Sequence, residues 1–108
     1  MKPRIFGYER GALTDLAEIW ERVALRDGEE RADRLRSRIE AFCRSLAVVP
    51  NIGTRHPDRF PGLRSTGVPG LKFVAVLFVT TPSRVTVVRI GYLGRNVWAE
   101  IPSPANDT

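Results

Sequence analysis

The chain has 108 residues, 43% of them apolar and 27% charged, which allows one folded domain with its own core and excludes a disordered chain. Its net charge is +5, from 17 Lys plus Arg against 12 Asp plus Glu, so acidic partners such as nucleic acid, a nucleic-acid-bearing machine or an acidic protein are favoured. All of the cations except Lys2 and Lys72 are arginines, which suit planar recognition of phosphate and carboxylate.

No run is long enough for a membrane span, and the first residues, MKPRIFGYER, carry no signal-peptide core. The single Cys43 has no internal disulfide partner. Together these features favour a cytoplasmic protein with no membrane contact.

In chain order, residues 3 to 8, PRIFGY, suit an edge strand, which tolerates Pro at its beginning. A helix is predicted over residues 11 to 26. Leu13, Leu16, Trp20 and Val23 recur at spacings of three and four, with Ile19 beside them. Thr14 and Asp15 read as capping residues near its start, and Asp27-Gly28 as its stop. A second helix is predicted from residue 29 to 49, with a narrow apolar stripe of Ala32, Leu35, Ile39, Phe42, Leu46 and Val49. The remainder of that helix is polar, including Arg31, Arg34, Arg36, Arg38, Glu40 and Arg44. The short gap predicts an antiparallel helix pair.

Pro50 ends the second helix, and NIGTRHPDRFP, residues 51 to 61, reads as a loop leading into a short strand, GLRS. Two long apolar runs follow, Leu71 to Val79 and Val85 to Tyr92, both rich in residues that fit a pleated surface. The four residues Thr80 to Ser83 between them read as a hairpin loop, which would set Val79 opposite Arg84.

Alternation then sorts the side chains. One face takes Leu71, Phe73, Ala75, Leu77 and Val79, with Thr86, Val88, Ile90 and Tyr92, and is expected beneath the helices. The other takes Lys72, Val74, Val76 and Phe78, with Val85, Val87, Arg89 and Gly91, and is expected to stay open as a mixed basic face.

GRNVWAEI reads as a short helical turn or a final strand, and residues 102 to 108, PSPANDT, as a flexible polar tail. The expected architecture is α+β. An N-terminal strand precedes an antiparallel helix pair packed on one face of a small antiparallel sheet, in a single domain over residues 1 to 101.

Much chemistry is excluded. One His and one Cys cannot build a usual zinc site, so no metal is expected. No dinucleotide fingerprint or phosphate-cradling loop is present, so no cofactor is expected. His56 reads as a solvated loop residue, Cys43 as a small buried hydrophobe and Trp20 as core. Trp98 lies past the sheet in a polar setting that suits a partner contact.

The remaining candidates are Arg64, Lys72, Arg89 and Arg95, with Tyr92. Such a set could assist metal-free RNA cleavage by stabilising charge on phosphorus, although it offers no evident general base. Equally, its arginines could be surface or binding residues.

Several segments, in order, resemble the ParE/RelE superfamily of type II toxins. They are DLAEIWERVA (15 to 24), LAVVPNIGTR (46 to 55), PGLRS (61 to 65) and VTVVRIGYLGR (85 to 95). The RelE branch, ribosome-dependent mRNA endonucleases, carries two arginines that Arg64 and Arg95 match. It also carries lysines that are missing from DRFPG (58 to 62), and a late tyrosine where only Trp98 stands nearby.

The ParE branch, which poisons DNA gyrase by binding, is therefore the closer resemblance. It implies a cognate antitoxin and a higher-order toxin–antitoxin complex. For such a binding activity the candidate target contacts are Arg64, Arg89, Tyr92, Arg95 and Trp98, since Arg and Trp recur at interface hot spots. A RelE-like chain would instead act on the ribosome and messenger RNA, with Arg64, Lys72 and Arg95 as its catalytic set.

Overall fold

The computed structural model describes residues 2–94. Strand β1 (Ile5–Tyr8) is followed by helices α1 (Arg10–Asp27) and α2 (Glu29–Ser45), then β2 (Thr54–Arg55), β3 (Leu63–Val68), β4 (Leu71–Thr80) and β5 (Arg84–Tyr92). The strands form one sheet in the order β1-β5-β4-β3-β2. This is the expected α+β plan of a helix pair on a sheet. The sheet is mixed, because β1 lies parallel to β5 while the other neighbours are antiparallel.

The helices meet at a single residue. Gly28 takes φ 95°, a conformation that Cβ-bearing residues rarely adopt, and its N–H bonds the Ala24 carbonyl at 2.9 Å. With Glu29 and Glu30 in its first turn, α2 starts with charge that complements its dipole. Trp20 Nε1 donates to Asp33 Oδ1 at 2.7 Å across the pair. At the far end Arg44 lies over the Phe6 ring, so α2 returns to the strand from which α1 departs. The helix ends at Ser45, earlier than expected, in a short turn stitched by bonds such as Leu46 N–H to the Cys43 carbonyl.

One layer of side chains fills the space between helices and sheet. Leu16, Ile19 and Val23 of α1 and Ile39 and Cys43 of α2 meet Val74, Val76 and Phe78 of β4. Val85, Val87, Ile90 and Tyr92 of β5 complete it. Residues of this size each contribute roughly 1.5–3 kcal/mol on burial.

The face assignment needs correcting. Phe73 and Ala75, expected under the helices, are exposed, and Val74, Val76 and Phe78 take their place. The hairpin loop is also tighter, since Thr81 N–H bonds the Arg84 carbonyl at 2.9 Å and Val79 pairs with Thr86. That shift is two residues and leaves the faces alone. The larger effect is the register change from Phe78↔Val87 to Leu77↔Arg89, which leaves Val88 as an extra residue. A bulge of this kind reverses the alternation beyond it, so Ile90 and Tyr92 join the face of Val85 and Val87.

Candidate functional site

The bulge decides the fate of Arg89. β1 pairs with β5 only as far as Val87, and beyond that point α1 lies beside the strand. Asp15 sits there on α1. It receives Arg89 Nε at its Oδ2 and Arg89 Nη2 at its Oδ1, both at 2.8 Å, and the backbone N–H of Ile90 at Oδ2, also at 2.8 Å.

Asp15 is only 2% exposed and Arg89 8%. A bidentate pair with a third donor satisfies the carboxylate, the condition under which buried charges are tolerated. The hydrogen bonds to Asp15 push the Arg89 guanidinium above its ordinary range. Gly11 makes room for it, since a Cβ there would lie 2.8 Å from Arg89 Cδ. Arg89 thus does not stand on an open basic face, and Asp15 is no helix cap. α1 begins at Arg10, with Glu9 in the cap position.

Tyr92 is also inside, 5% exposed, and its ring meets that of Phe73 edge-on at 5.4 Å. Its hydroxyl receives Arg26 Nη2 at 3.5 Å. Arg64 on β3 is half-buried and donates from Nη1 to the Ile52 carbonyl at 3.3 Å. It pairs with Phe78, so it lies on the helix side of the sheet, with β4 between its strand and that of Arg89. Lys72 is exposed beside the β3–β4 turn. Arg95 and Trp98, and with them the GRNVWAEI segment beyond Gly94 and the tail, lie outside the described residues.

His56 is not simply a solvated loop residue. Its Nε2 lies 2.7 Å from Ser65 Oγ, partly buried. Ser65 follows Arg64 in the strand, so the two side chains take opposite faces. Cys43 is buried as expected, and burial pushes its thiol up to about 12. Burial also raises the Tyr8 hydroxyl. No group of three or more potential metal ligands occurs among the described residues. Among the same residues no helix is long and apolar enough to cross a membrane.

The structure brings together residues that were not singled out as a site. Past Tyr92 the end of the helix pair and the β3–β4 hairpin enclose a cleft of about 750 Å³. Its apolar wall comes from Val23, Leu35, Leu71, Phe73 and Tyr92. Arg26, Arg31, Arg34 and Arg38 stand around it. Phe73 is 41% exposed there. The signal for this site was present in the spacing of Arg31, Arg34 and Arg38, which share one side of α2 with Leu35.

Fold and site together define a small basic α+β domain that holds Arg89 in a buried ion pair and sets four other arginines around an apolar cleft. The family model described as the ParE toxin of the type II toxin–antitoxin system, parDE, matches residues 7–97, and the chain belongs to that family. A solved structure described as the chromosomal ParDE TA system from P. aeruginosa has the same fold, with a TM-score of 0.70. The two are 23% identical, and the match covers 83% of this chain and 96% of that one. No curated protein matches.

Proposed function

We propose that this chain is the toxin of a type II toxin–antitoxin module, held inactive by a cognate antitoxin, and that it acts by binding DNA gyrase. The observation that carries this reading is membership of the ParE family over residues 7–97.

The placement of the ionisable groups supports binding over RNA cleavage. Metal-free cleavage needs one group to take the 2′-hydroxyl proton and another to protonate the leaving oxygen, each contributing about 10²–10⁴-fold. Arginine cannot readily take a proton. Tyr92 is buried with its hydroxyl against Arg26, and Lys72 stands exposed beside the β3–β4 turn. His56 and Ser65 lie together, but Arg64 faces the other side of the sheet.

Binding makes no such demand. Arg64, together with Arg95 and Trp98, serves as a target contact, since Arg and Trp recur at interface hot spots. Arg89 and Tyr92 leave that set, because their side chains are engaged inside the domain. The test is to incubate the purified protein with programmed ribosomes and map the ends of the message. Intact message is expected. Codon-specific cuts that vanish in Arg64→Ala and Arg95→Ala would overturn the reading in favour of a RelE-like endonuclease.

A further inference from the structure

We propose that Arg55 and Arg64, side by side on β2 and β3, form a phosphate clamp of two guanidinium groups, and that its ligand is the phosphodiester backbone of the duplex DNA on which the target works. This deepens the reading of a gyrase-binding toxin and rests on it for the source of the phosphate, though not for the chemistry of the site.

The fold sets the two cations together. Arg55 and Arg64 are direct partners in the antiparallel β2–β3 ladder, so their side chains leave the same face of the sheet. Opposed residues of such a ladder have Cβ atoms ~4.5–5.5 Å apart, and like charges at that spacing are destabilising. β2 is the outer strand of the sheet and has only two residues, Thr54 and Arg55. Gly53, just before it, takes φ 78°, and a Cβ there would collide with the Ser65 carbonyl oxygen. A glycine thus lets this short strand lie close against β3 and hold one arginine beside the other.

No carboxylate offsets the repulsion. Among the described residues neither arginine forms an ion pair, and Asp58 in the following loop pairs with neither. Arg64 Nη1 donates to the Ile52 carbonyl at 3.3 Å, which holds the guanidinium and leaves its other N–H groups for a ligand. Arg55 is exposed beside it.

The buried pair elsewhere in the domain gives the measure of what such a site accepts. There a single guanidinium, that of Arg89, occupies both oxygens of Asp15. Two guanidinium groups abreast exceed one carboxylate, whereas successive phosphates along a strand offer an acceptor to each. Further cations stand where β3 and β5 begin, at the same end of the sheet. Arg84 lies opposite Ile5, and Arg4 Nε donates to the Thr81 carbonyl at 2.6 Å. A repeating polyanion engages cations spread in this way, and one acidic side chain does not.

The test uses the full chain and a fluorescein-labelled DNA duplex, titrated by anisotropy at salt concentrations from about 50 to 200 mM. The slope of log affinity against log salt is expected to shrink by about 0.9 in Arg55→Gln and about 1.8 in the double variant Arg55→Gln, Arg64→Gln, one phosphate contact each. The double variant should bind roughly tenfold more weakly at the lower salt. Arg55 is exposed, so Arg55→Gln should melt as the parent does. The double variant Arg31→Gln, Arg34→Gln removes the same charge from α2 and is expected to keep the parent slope. Arg55→Lys with Arg64→Lys should also keep it, a rescue that a merely structural role for the arginines would not give.

A slope that falls equally in both Gln pairs, or in neither, would overturn the proposal. So would tighter binding of a polyglutamate peptide, or of a single-stranded oligoribonucleotide, than of the duplex. Gyrase supercoiling measured in parallel separates this from the broader reading. Inhibition by a chain whose duplex binding ignores Arg55 and Arg64 refutes the clamp alone. A chain that binds the duplex through them and leaves gyrase active refutes the gyrase reading alone.

Discussion

The Arg89 guanidinium and those of Arg31, Arg34 and Arg38 belong to one helix–sheet layer, yet they meet opposite surroundings. Arg89 lies inside, held by both oxygens of a carboxylate that also takes a backbone N–H. The α2 arginines stand around an apolar cleft with weak or solvent-exposed partners. The difference comes from what each can reach. A bulge at Val88 and a glycine on α1 let Arg89 turn inward, while the arginines of α2 stand around the cleft, where the Glu30 partner of Arg34 is itself exposed. An inward arginine ties secondary elements together, whereas the outward row remains within reach of solvent.

Breaking the inner pair is expected to have the largest effect. Asp15→Ala removes both carboxylate oxygens that hold the buried Arg89 guanidinium and orphans the Ile90 N–H, and should destabilise the fold by about 3–5 kcal/mol in urea unfolding. The double variant Asp15→Leu, Arg89→Met should recover most of that loss, because both charges go together. A loss below about 1 kcal/mol in Asp15→Ala would mean that Arg89 reaches solvent, and the contrast with α2 would collapse.

Alkaline pH probes the same interior by a second route. Burial raises the Cys43 thiol to about 12, and it raises the Tyr8 hydroxyl as well. A raised folded pKa means that the folded state keeps its proton longer than the unfolded state, whose thiol titrates near ~8.5. The stability associated with the thiol is therefore complete below about pH 8.5 and is lost as pH rises toward the folded value, by up to ~1.4 kcal/mol per pH unit. Urea midpoints measured across that range should fall, and Cys43→Ala should flatten the first part of the decline.

Smaller effects sharpen the comparison. Gly11→Ala would ordinarily stabilise a helix by up to ~1 kcal/mol. Here the added methyl meets Arg89 Cδ, so the gain should be absent, and it should reappear once Arg89 is replaced by Ala. Thermal melts of the four proteins decide this. On the outer row, Arg34→Ala removes only an exposed pair with Glu30 and should change stability by less than about 0.5 kcal/mol.

The helices were legible because they announce themselves locally. The stripe of Leu16, Ile19 and Val23 and the Asp27-Gly28 stop need no knowledge of the remainder of the fold. The hairpin was legible for the same reason, as two apolar runs around Pro82. The faces of β4 and β5 were not. Both strands are apolar on both sides, with Leu63 and Leu77 also buried beyond the main cluster, so composition could not choose the face that takes the helices. The extra residue Val88 left no mark in a run of valines.

The ion pair was hidden by distance, because Asp15 and Arg89 lie 74 residues apart in sequence. Each has a plausible local reading, as helix cap and as surface cation. The outer arginines were visible as charges, but the apolar wall they surround is assembled from four separate elements.

The gyrase-binding activity proposed for this ParE-family chain can be tested directly. The most direct measurement is plasmid supercoiling by purified gyrase, titrated with the purified protein. Supercoiling should fall progressively as the protein approaches the gyrase concentration, and should return when the antitoxin is added. Undiminished supercoiling at a large excess of folded protein would contradict the account.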